Sequence, residues 1–184
     1  MTTFVALFRA INVGGHNRVA MAALKNMFEG LGLRGVSTYL QTGNVIFESA
    51  ETAPLSLTEQ LGKEFEQKFG FYADVIVRTS AELKEVVDKN PFLNHPEKET
   101  KWLVVMFLAS CPTEQAKKEL LSTYEGPEEL FITTGDQSTN LYIYYTNGIG
   151  RSKLSNVFLE KKLKVQGTAR NWNTITKLLE IAQA

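Results

Sequence analysis

The sequence has one cysteine, two histidines and no excess of charge of either sign. Cys111 alone excludes an internal disulfide and fits a reducing compartment such as the cytoplasm. Twenty basic residues balance twenty acidic ones, so only a local patch could attract nucleic acid or an anionic membrane. No apolar run approaches the roughly 20 residues that span a bilayer. The first stretch, MTTFVALFRAINV, lacks a basic leader, so we expect no signal peptide and a cytoplasmic protein.

Residues that bind metals or perform catalysis are equally scarce. His16 and His95 have no cysteine partner and no helical His-x-x-x-His spacing, so we expect no structural zinc. The aspartates lie outside the glycine-rich loops, which gives little support to a carboxylate-held magnesium. No nucleophile, base and orienting group can be assembled. The sequence therefore predicts no catalytic residue, identifies no cofactor and leaves open whether the protein is an enzyme.

Strand and helix patterns alternate in the same order twice along the 184 residues. In the first part, the strand patterns are TFVALFRA, VSTYLQ, NVIFES and FYADVIVR, and the helix patterns are MAALKNMFEGLG, LSLTEQLGKEFEQKF and a segment capped by Ser80. In the second part, the strand patterns are KWLVVMFLA, ELFITT, NLYIYY and KVQGTAR, and the helix patterns are EQAKKELLSTY capped by Thr113, RSKLSNVFLEKKL and NTITKLLEIAQ. Both parts therefore have the order β-α-β-β-α-β-α.

This repeated order predicts an α+β fold. A β-α-β-β-α-β unit is the split βαβ, or ferredoxin-like, arrangement, with an antiparallel sheet and two helices on one face. We expect duplicated ferredoxin-like halves at residues 1–90 and 101–184, joined by the segment NPFLNHPEKET. Aligning VIVRTSAELKEVV with GTARNWNTITKLL pairs Arg78 with Arg170, Leu83 with Ile175, and Val86 with Leu178.

Three loops combine glycine with cationic and amide side chains ahead of a predicted helix. Loop 1 is Arg9 to Arg18, loop 2 is Asn147 to Asn156, and loop 3 is Gly167 to Thr174. Free backbone N–H groups and a partial positive charge at helix N-termini attract anions, and arginine adds a planar fork for phosphate or carboxylate. Arg151 and Lys153 are expected in the first turn of a helix, where a positive charge is unfavourable because it opposes the helix dipole. Cations at such positions suggest a functional role rather than a stabilising one.

These loops predict a site for an anionic ligand. The candidate ligand-binding residues are Arg9, Asn12, Gly14, Gly15, Asn17, Arg18, Asn44, Arg151, Ser152, Lys153, Arg170 and Asn171. The alternative is that they are helix caps and solvated loop charges. The three loops form one site only if the fold brings them together.

Aromatic residues give a second, weaker signal. Tyr142, Tyr144 and Tyr145 in NLYIYY resemble the stacking rows of RNA-binding sheets, although tyrosine is also common in strands. Trp172 could stack on a base, but anchoring the last helix is the favoured interpretation.

Four motifs carry a resemblance to a known family. The stretches LFRAINVGGHNRVAMAALKNMFEGLG, VSTYLQTGNVIFES, GRSKL and TARNWNTITKL resemble the bacterial domain-of-unknown-function family 1697 from Phe4 to about Leu179. The resemblance implies a duplicated ferredoxin-like fold and no established activity. Its strongest positions correspond to Arg9, Asn12, Gly14, Gly15, Asn17, Gln41, Gly43, Asn44, Arg151, Ser152, Arg170, Asn171, Trp172 and Thr174. The chain departs from the family pattern at Ala20, where proline is expected before the first helix.

Three functions are compatible with the sequence. The leading hypothesis is a cytoplasmic protein that binds a small anionic ligand, phosphorylated or nucleotide-like, through the three loops. The alternatives are binding of RNA or another single-stranded nucleic acid, and a protein-interaction module without a small ligand. The sequence indicates no membrane association and does not reveal the oligomeric state.

Overall fold

The computed structural model of the protein describes residues 1–133 and 139–184. The chain divides into two compact units. Unit 1 comprises Met1–Glu85 and Lys177–Ala184, and unit 2 comprises Val86–Thr176. The predicted connection from Gly135 to Thr139 lies outside the described residues except for Thr139. In the part of the chain that the structure describes, no helix is both long and apolar enough to cross a bilayer.

Unit 1 contains one four-stranded sheet. Its elements are β1 (Thr2–Phe8), α1 (Met21–Gly30), β2 (Arg34–Tyr39), β3 (Asn44–Ser49), α2 (Pro54–Phe69), β4 (Val75–Thr79) and the start of α3 (Ser80–Asp88). The strand order is β2-β3-β1-β4, and every pair is antiparallel.

Aromatic rings fill the core of unit 1. The Phe8 and Phe65 ring centroids lie 4.9 Å apart, and those of Phe28 and Phe47 lie 5.1 Å apart. The spacing of four in α2 buries Leu57, Leu61 and Phe65 on one face, as the sequence predicts. Burial of this face holds α2 against the rest of the unit.

Unit 2 repeats this organisation. Its elements are β5 (Leu103–Leu108), α4 (Glu114–Thr123), β6 (Glu129–Ile132), β7 (Asn140–Tyr144), α5 (Asn156–Leu163), β8 (Gly167–Asn171) and the start of α6 (Trp172–Gln183). The antiparallel order β6-β7-β5-β8 corresponds strand for strand to that of unit 1. Side chains of β5, β7, α4 and α5 form the core. The predicted α+β fold with ferredoxin-like antiparallel sheets is confirmed.

The starts of α3 and α6 are stabilised at equivalent positions. The Thr79 hydroxyl accepts a hydrogen bond from the Glu82 N–H at 3.1 Å, while the Glu82 carboxylate accepts one from the Thr79 N–H at 2.7 Å. In α6, Asn171 Oδ1 accepts a hydrogen bond from the Thr174 N–H at 2.9 Å. The predicted cap at Ser80 is wrong, because Thr79 fills that role.

The helix predicted from Arg151 begins later than expected. Helix α5 starts at Asn156, and the Ser155 hydroxyl caps it by accepting a hydrogen bond from the Phe158 N–H at 3.1 Å. Arg151 ends a short 3-10 turn, and Ser152 continues in an extended conformation. The prediction that the cations of loop 2 lie in the first turn of a helix is therefore wrong, and they do not oppose its dipole.

Candidate functional site

The amide side chains of loop 1 hold the loop itself together. Asn12 Oδ1 accepts a hydrogen bond from the Val19 N–H at 2.7 Å, and its Nδ2 donates to the carbonyls of Val19 at 2.9 Å and Gln41 at 2.7 Å. Asn17 Nδ2 donates to the Ala10 carbonyl at 3.3 Å. These contacts fix the path of the loop between β1 and α1.

Two further candidate residues, Arg9 and Asn44, also form contacts within the protein. Arg9 Nη1 lies 3.6 Å from Asp74 Oδ2, and its backbone N–H donates to the Asp74 carbonyl at 2.8 Å. The fully buried Asn44 donates from Nδ2 to the Tyr39 carbonyl at 2.9 Å and to Thr42 Oγ1 at 3.0 Å. Asn44 therefore shapes the turn between β2 and β3.

The tip of loop 1 is a tight turn. Val13 and His16 pair as an isolated bridge, and Gly14 and Gly15 between them have φ values of 59° and 80°. Glycine suits this turn because consecutive positive φ values are costly for residues with a Cβ.

An open pocket of about 360 Å³ lies beside loop 1. Its lining residues are Asn12, Gly15, Arg18, Val19, Ala20 and Gln41. Arg18 Nε donates to the Gly15 carbonyl at 3.2 Å. Helix α1 begins after Ala20, which provides no side-chain cap, and its first turn holds no acidic residue. This pocket therefore contains cationic and polar groups but no carboxylate.

The prediction of a glycine-rich loop at loop 3 is wrong, because this segment forms strand β8 and the first turn of α6, and its side chains mainly contact the protein itself. The Arg170 guanidinium is buried, and its Nη1 donates to Thr168 Oγ1 at 2.7 Å and to the Ala169 carbonyl at 2.9 Å. Burial lowers the pKa of Arg170 to about 10. Asn171 caps α6, and Trp172 is buried at the start of that helix, in agreement with its interpretation as an anchor.

The tyrosine row of β7 is buried. Tyr142, Tyr144 and Tyr145 are 1%, 7% and 6% exposed, and the Tyr142 hydroxyl donates to the Val86 carbonyl at 2.9 Å. These rings offer no open surface on which a base could stack. The tyrosines of β7 therefore do not support RNA binding.

A second pocket, here called the Glu128 pocket, lies in unit 2. It has a volume of about 390 Å³. The connection between α4 and β6, loop 2 and the start of α5 provide its lining residues: Tyr124, Gly126, Pro127, Glu128, Asn147, Arg151, Ser152, Lys153, Leu154 and Phe158. Loop 3 contributes no residue to this lining.

A buried carboxylate is the central feature of the Glu128 pocket. Glu128 is 8% exposed, and its two oxygens accept hydrogen bonds from the Ser152 and Tyr124 hydroxyls. The Ser152 hydroxyl oxygen in turn accepts a hydrogen bond from the Leu154 N–H at 3.0 Å. These contacts fix the carboxylate in one orientation.

The same hydrogen bonds decide the charge of Glu128. Burial alone would raise its pKa, but donation from Ser152 and Tyr124 outweighs burial and holds the pKa below its usual value. Burial, together with the hydrogen bond to Glu128, raises the pKa of Tyr124. At neutral pH the pocket therefore contains a carboxylate and a protonated tyrosine.

Two exposed cations lie at the Glu128 pocket. Arg151 and Lys153 both line it, and in residues 1–133 and 139–184 neither forms an ion pair with the protein. Two cations and one carboxylate give the pocket lining one net positive charge. An anionic ligand group could therefore bind to cations that form no ion pair within residues 1–133 and 139–184.

Apolar surface and a glycine complete the Glu128 pocket. The rings of Tyr124 and Phe158 have centroids 6.3 Å apart with their planes at 52°. A Cβ at Gly126 would lie 2.8 Å from Glu128 Oε2 and closer still to the Tyr124 hydroxyl. Only glycine at this position leaves room for the contact between Tyr124 and Glu128.

Sequence reasoning found three residues of this pocket and missed its centre. Arg151, Ser152 and Lys153 were predicted, whereas Glu128 and Tyr124 were not. The sequence signal nearest to them is the pair Gly126-Pro127, which lies between Tyr124 and Glu128 and is typical of a turn. Among the described residues, no cluster of three His, Cys, Asp or Glu side chains could hold a metal ion.

The predicted loops lie in different units. Loop 1 belongs to unit 1, whereas loops 2 and 3 belong to unit 2. Each of the two pockets is lined by residues of a single unit. That the three loops share one centre stays a prediction.

Comparisons with known proteins agree with the fold. The chain is similar to the conserved bacterial protein SP0830 from Streptococcus pneumoniae, with 22% identity, a TM-score of 0.71 and 98% coverage of each chain. No curated protein matches the chain significantly. The family model described as "Protein of unknown function (DUF1697)" matches residues 1–137, which include loop 1 and Glu128. The chain therefore belongs to this family of proteins of unknown function, DUF1697.

Proposed function

We propose that the protein binds a small organic anion, a nucleotide or similar phosphorylated compound, in the Glu128 pocket. The observation that carries this proposal is that Arg151 and Lys153 line a pocket with a net positive charge and, within the described residues, form no ion pair. Such cations form charge-assisted hydrogen bonds with phosphate oxygens, and arginine can do so with two parallel bonds.

The remaining lining favours a ligand with an organic body over a bare inorganic ion. Glu128 would repel an anion placed next to it, so the anionic group belongs at Arg151 and Lys153. Tyr124 and Phe158 add aromatic surface. The volume of the Glu128 pocket, about 390 Å³, falls in the range typical of small-ligand pockets.

The other two functions have less support. Zero net charge and the buried tyrosines of β7 both count against RNA binding. A protein-interaction module would not require a buried carboxylate in the same pocket as two cations that have no ion pair among the described residues. A cytoplasmic location, which fits the single cysteine, is part of the proposal.

Calorimetric titration of the whole protein with nucleoside monophosphates, ribose 5-phosphate and inorganic phosphate tests the proposal. We expect at least one of the organic phosphates to bind more tightly than inorganic phosphate. The double variant Arg151→Ala/Lys153→Ala should weaken this binding by about tenfold or more, because it removes charge-assisted hydrogen bonds.

The matched control is Arg34→Ala/Lys161→Ala, which removes the same charge from exposed positions outside the pocket. This control should bind like the wild type. Equal weakening in both double variants would contradict a specific site. Binding that depends on Arg18 and not on Arg151 would instead place the ligand at loop 1.

A further inference from the structure

The Glu128 pocket also indicates how the organic part of the ligand is recognised. Resting on the proposed function, we infer that the ligand is a phosphate ester with a planar aromatic ring, and that the pocket binds the face of this ring rather than its hydrogen-bonding edge. Purine nucleotides with different bases belong to this class equally. The basis is an aromatic pair, Tyr124 and Phe158, in the same pocket as Arg151 and Lys153.

Internal hydrogen bonds occupy most of the Glu128 carboxylate. The Tyr124 hydroxyl, the Ser152 hydroxyl and the backbone N–H of Glu128 itself all donate to it. A carboxylate offers about four lone-pair sites, so about one is left for a ligand. Recognition of a base edge by two parallel hydrogen bonds needs more than that. Glu128 is therefore a positioning residue, which holds its neighbours in place.

The buried carboxylate fixes an aromatic ring next to the cations. Tyr124 donates to one of its oxygens and Ser152 to the other, so the two hydroxyls lie at neighbouring atoms of one group. Ser152 stands between Arg151 and Lys153 in the chain. The ring centroids of Tyr124 and Phe158 lie 6.3 Å apart. The aromatic pair therefore lies beside the segment that carries both cations.

The remaining lining favours apolar contact over hydrogen bonds. Pro127, Leu154 and the aromatic pair provide carbon surface. A sugar hydroxyl or a base edge placed against this surface would lose its hydrogen bonds to water without replacement. A planar ring gains contact there, and bases commonly stack on aromatic side chains. The aromatic pair therefore selects for a ring, while the cations engage the phosphate.

Calorimetric titration of the whole protein with GMP, IMP, AMP, ribose 5-phosphate and inorganic phosphate tests this inference. The nucleotides have purine rings of the same size with different hydrogen-bonding edges, so we expect their dissociation constants to agree within about threefold. Ribose 5-phosphate lacks the base and should bind about tenfold more weakly than AMP, because it has no aromatic ring to stack. Inorganic phosphate measures the contribution of the cations alone.

The variant Phe158→Leu removes one aromatic face but keeps an apolar side chain. It should weaken AMP binding by about fivefold or more and leave the binding of ribose 5-phosphate unchanged, because the sugar phosphate does not stack. The matched control is Phe131→Leu in β6, outside the pocket lining, which should bind AMP like the wild type. Phe158 and Phe131 are 37% and 44% exposed, so we expect both variants to fold. Thermal melts check this, and the ligand series on the wild type decides the question if Phe158→Leu does not fold.

The outcomes separate this inference from the proposed function. A larger difference among the nucleotides would show that the base edge is read and would overturn the inference. Ribose 5-phosphate that binds as tightly as AMP, or equal AMP binding by Phe158→Leu and Phe131→Leu, would overturn it as well. In each case, binding that depends on Arg151 and Lys153 would leave the anion site standing. Absence of binding by every nucleotide and by ribose 5-phosphate would overturn both proposals.

Discussion

Asn12 is the residue that organises loop 1. Its side chain forms three hydrogen bonds with the backbone, and its own φ of 54° lies in the left-handed region, where asparagine is favoured over most other residues. Asn12→Ala should lower the free energy of unfolding by about 2–3 kcal/mol, because the substitution leaves the Val19 N–H unpaired and adds backbone strain. Urea unfolding at constant m-value measures the change.

Asn17→Ala is the matched control for this prediction. Asn17 also has a positive φ of 51°, but its side chain forms one hydrogen bond of 3.3 Å with the Ala10 carbonyl. Asn17→Ala should therefore lower the free energy of unfolding by about 1 kcal/mol. Equal losses in both variants would show that the hydrogen bonds of Asn12 add nothing beyond the backbone conformation.

Single residues show where sequence reasoning about the site reaches its limit. Asn12, Asn44 and Arg170 have the side chains that an anion site needs, and the sequence singles them out for that reason. In the structure they hydrogen-bond to nearby backbone carbonyls. An amide or guanidinium that fits a phosphate also fits a carbonyl, so residue type alone does not separate the two roles. Glu128 went unnoticed because its partner Ser152 lies 24 residues away.

The connection between α4 and β6 depends on Gly126. A methyl group there would collide with the Tyr124 hydroxyl and Glu128 Oε2. Gly126→Ala should therefore destabilise the protein by about 1–3 kcal/mol and weaken nucleotide binding, since Glu128 must shift. Thermal melts and calorimetric titration measure the two effects.

Gly62→Ala is the control for Gly126→Ala, because we expect it to raise the stability of the protein rather than lower it. Gly62 lies inside α2, and a Cβ there would meet Val75 Cγ1 at an ordinary distance of 4.0 Å. Alanine should therefore stabilise that helix by up to about 1 kcal/mol and leave binding unchanged. Unaltered stability and binding in Gly126→Ala would contradict the packing described for the Glu128 pocket.

Helices with regularly spaced apolar residues could be predicted from the sequence. The start of a helix could not be predicted where two polar residues could each serve as its cap. The spacing of Leu57, Leu61 and Phe65 predicts α2 because one face must be buried. In loop 2, Ser152 and Ser155 both precede the apolar positions of α5 and could each cap it. The hydroxyl of Ser152 instead donates to Glu128, so Ser155 becomes the cap and the helix starts later. This choice depends on a tertiary contact that local patterns do not contain.

At the scale of the whole molecule, the order of elements was the most informative sequence signal. Two runs of β-α-β-β-α-β-α lead to two sheets with corresponding strand orders. The unit boundaries fall inside α3 and α6, where the helical pattern is continuous and nothing in the sequence marks a change. The division into halves at residues 1–90 and 101–184 stays a prediction.

Acid unfolding of the whole protein should show the contribution of Glu128. Because its pKa in the folded state lies below the usual 4.5, ionised Glu128 adds stability above that value, and the addition is lost as the pH falls through the folded pKa. Unfolding free energies of the wild type and Glu128→Gln, measured by urea titration from about pH 7 to about pH 3, should therefore differ by a constant amount above about pH 5 and converge below it. General charge repulsion affects both proteins and cancels in the difference. Exposed Glu125→Gln should track the wild type throughout. A difference that stayed constant or grew on acidification would contradict an ionised, hydrogen-bonded Glu128 at the centre of the pocket.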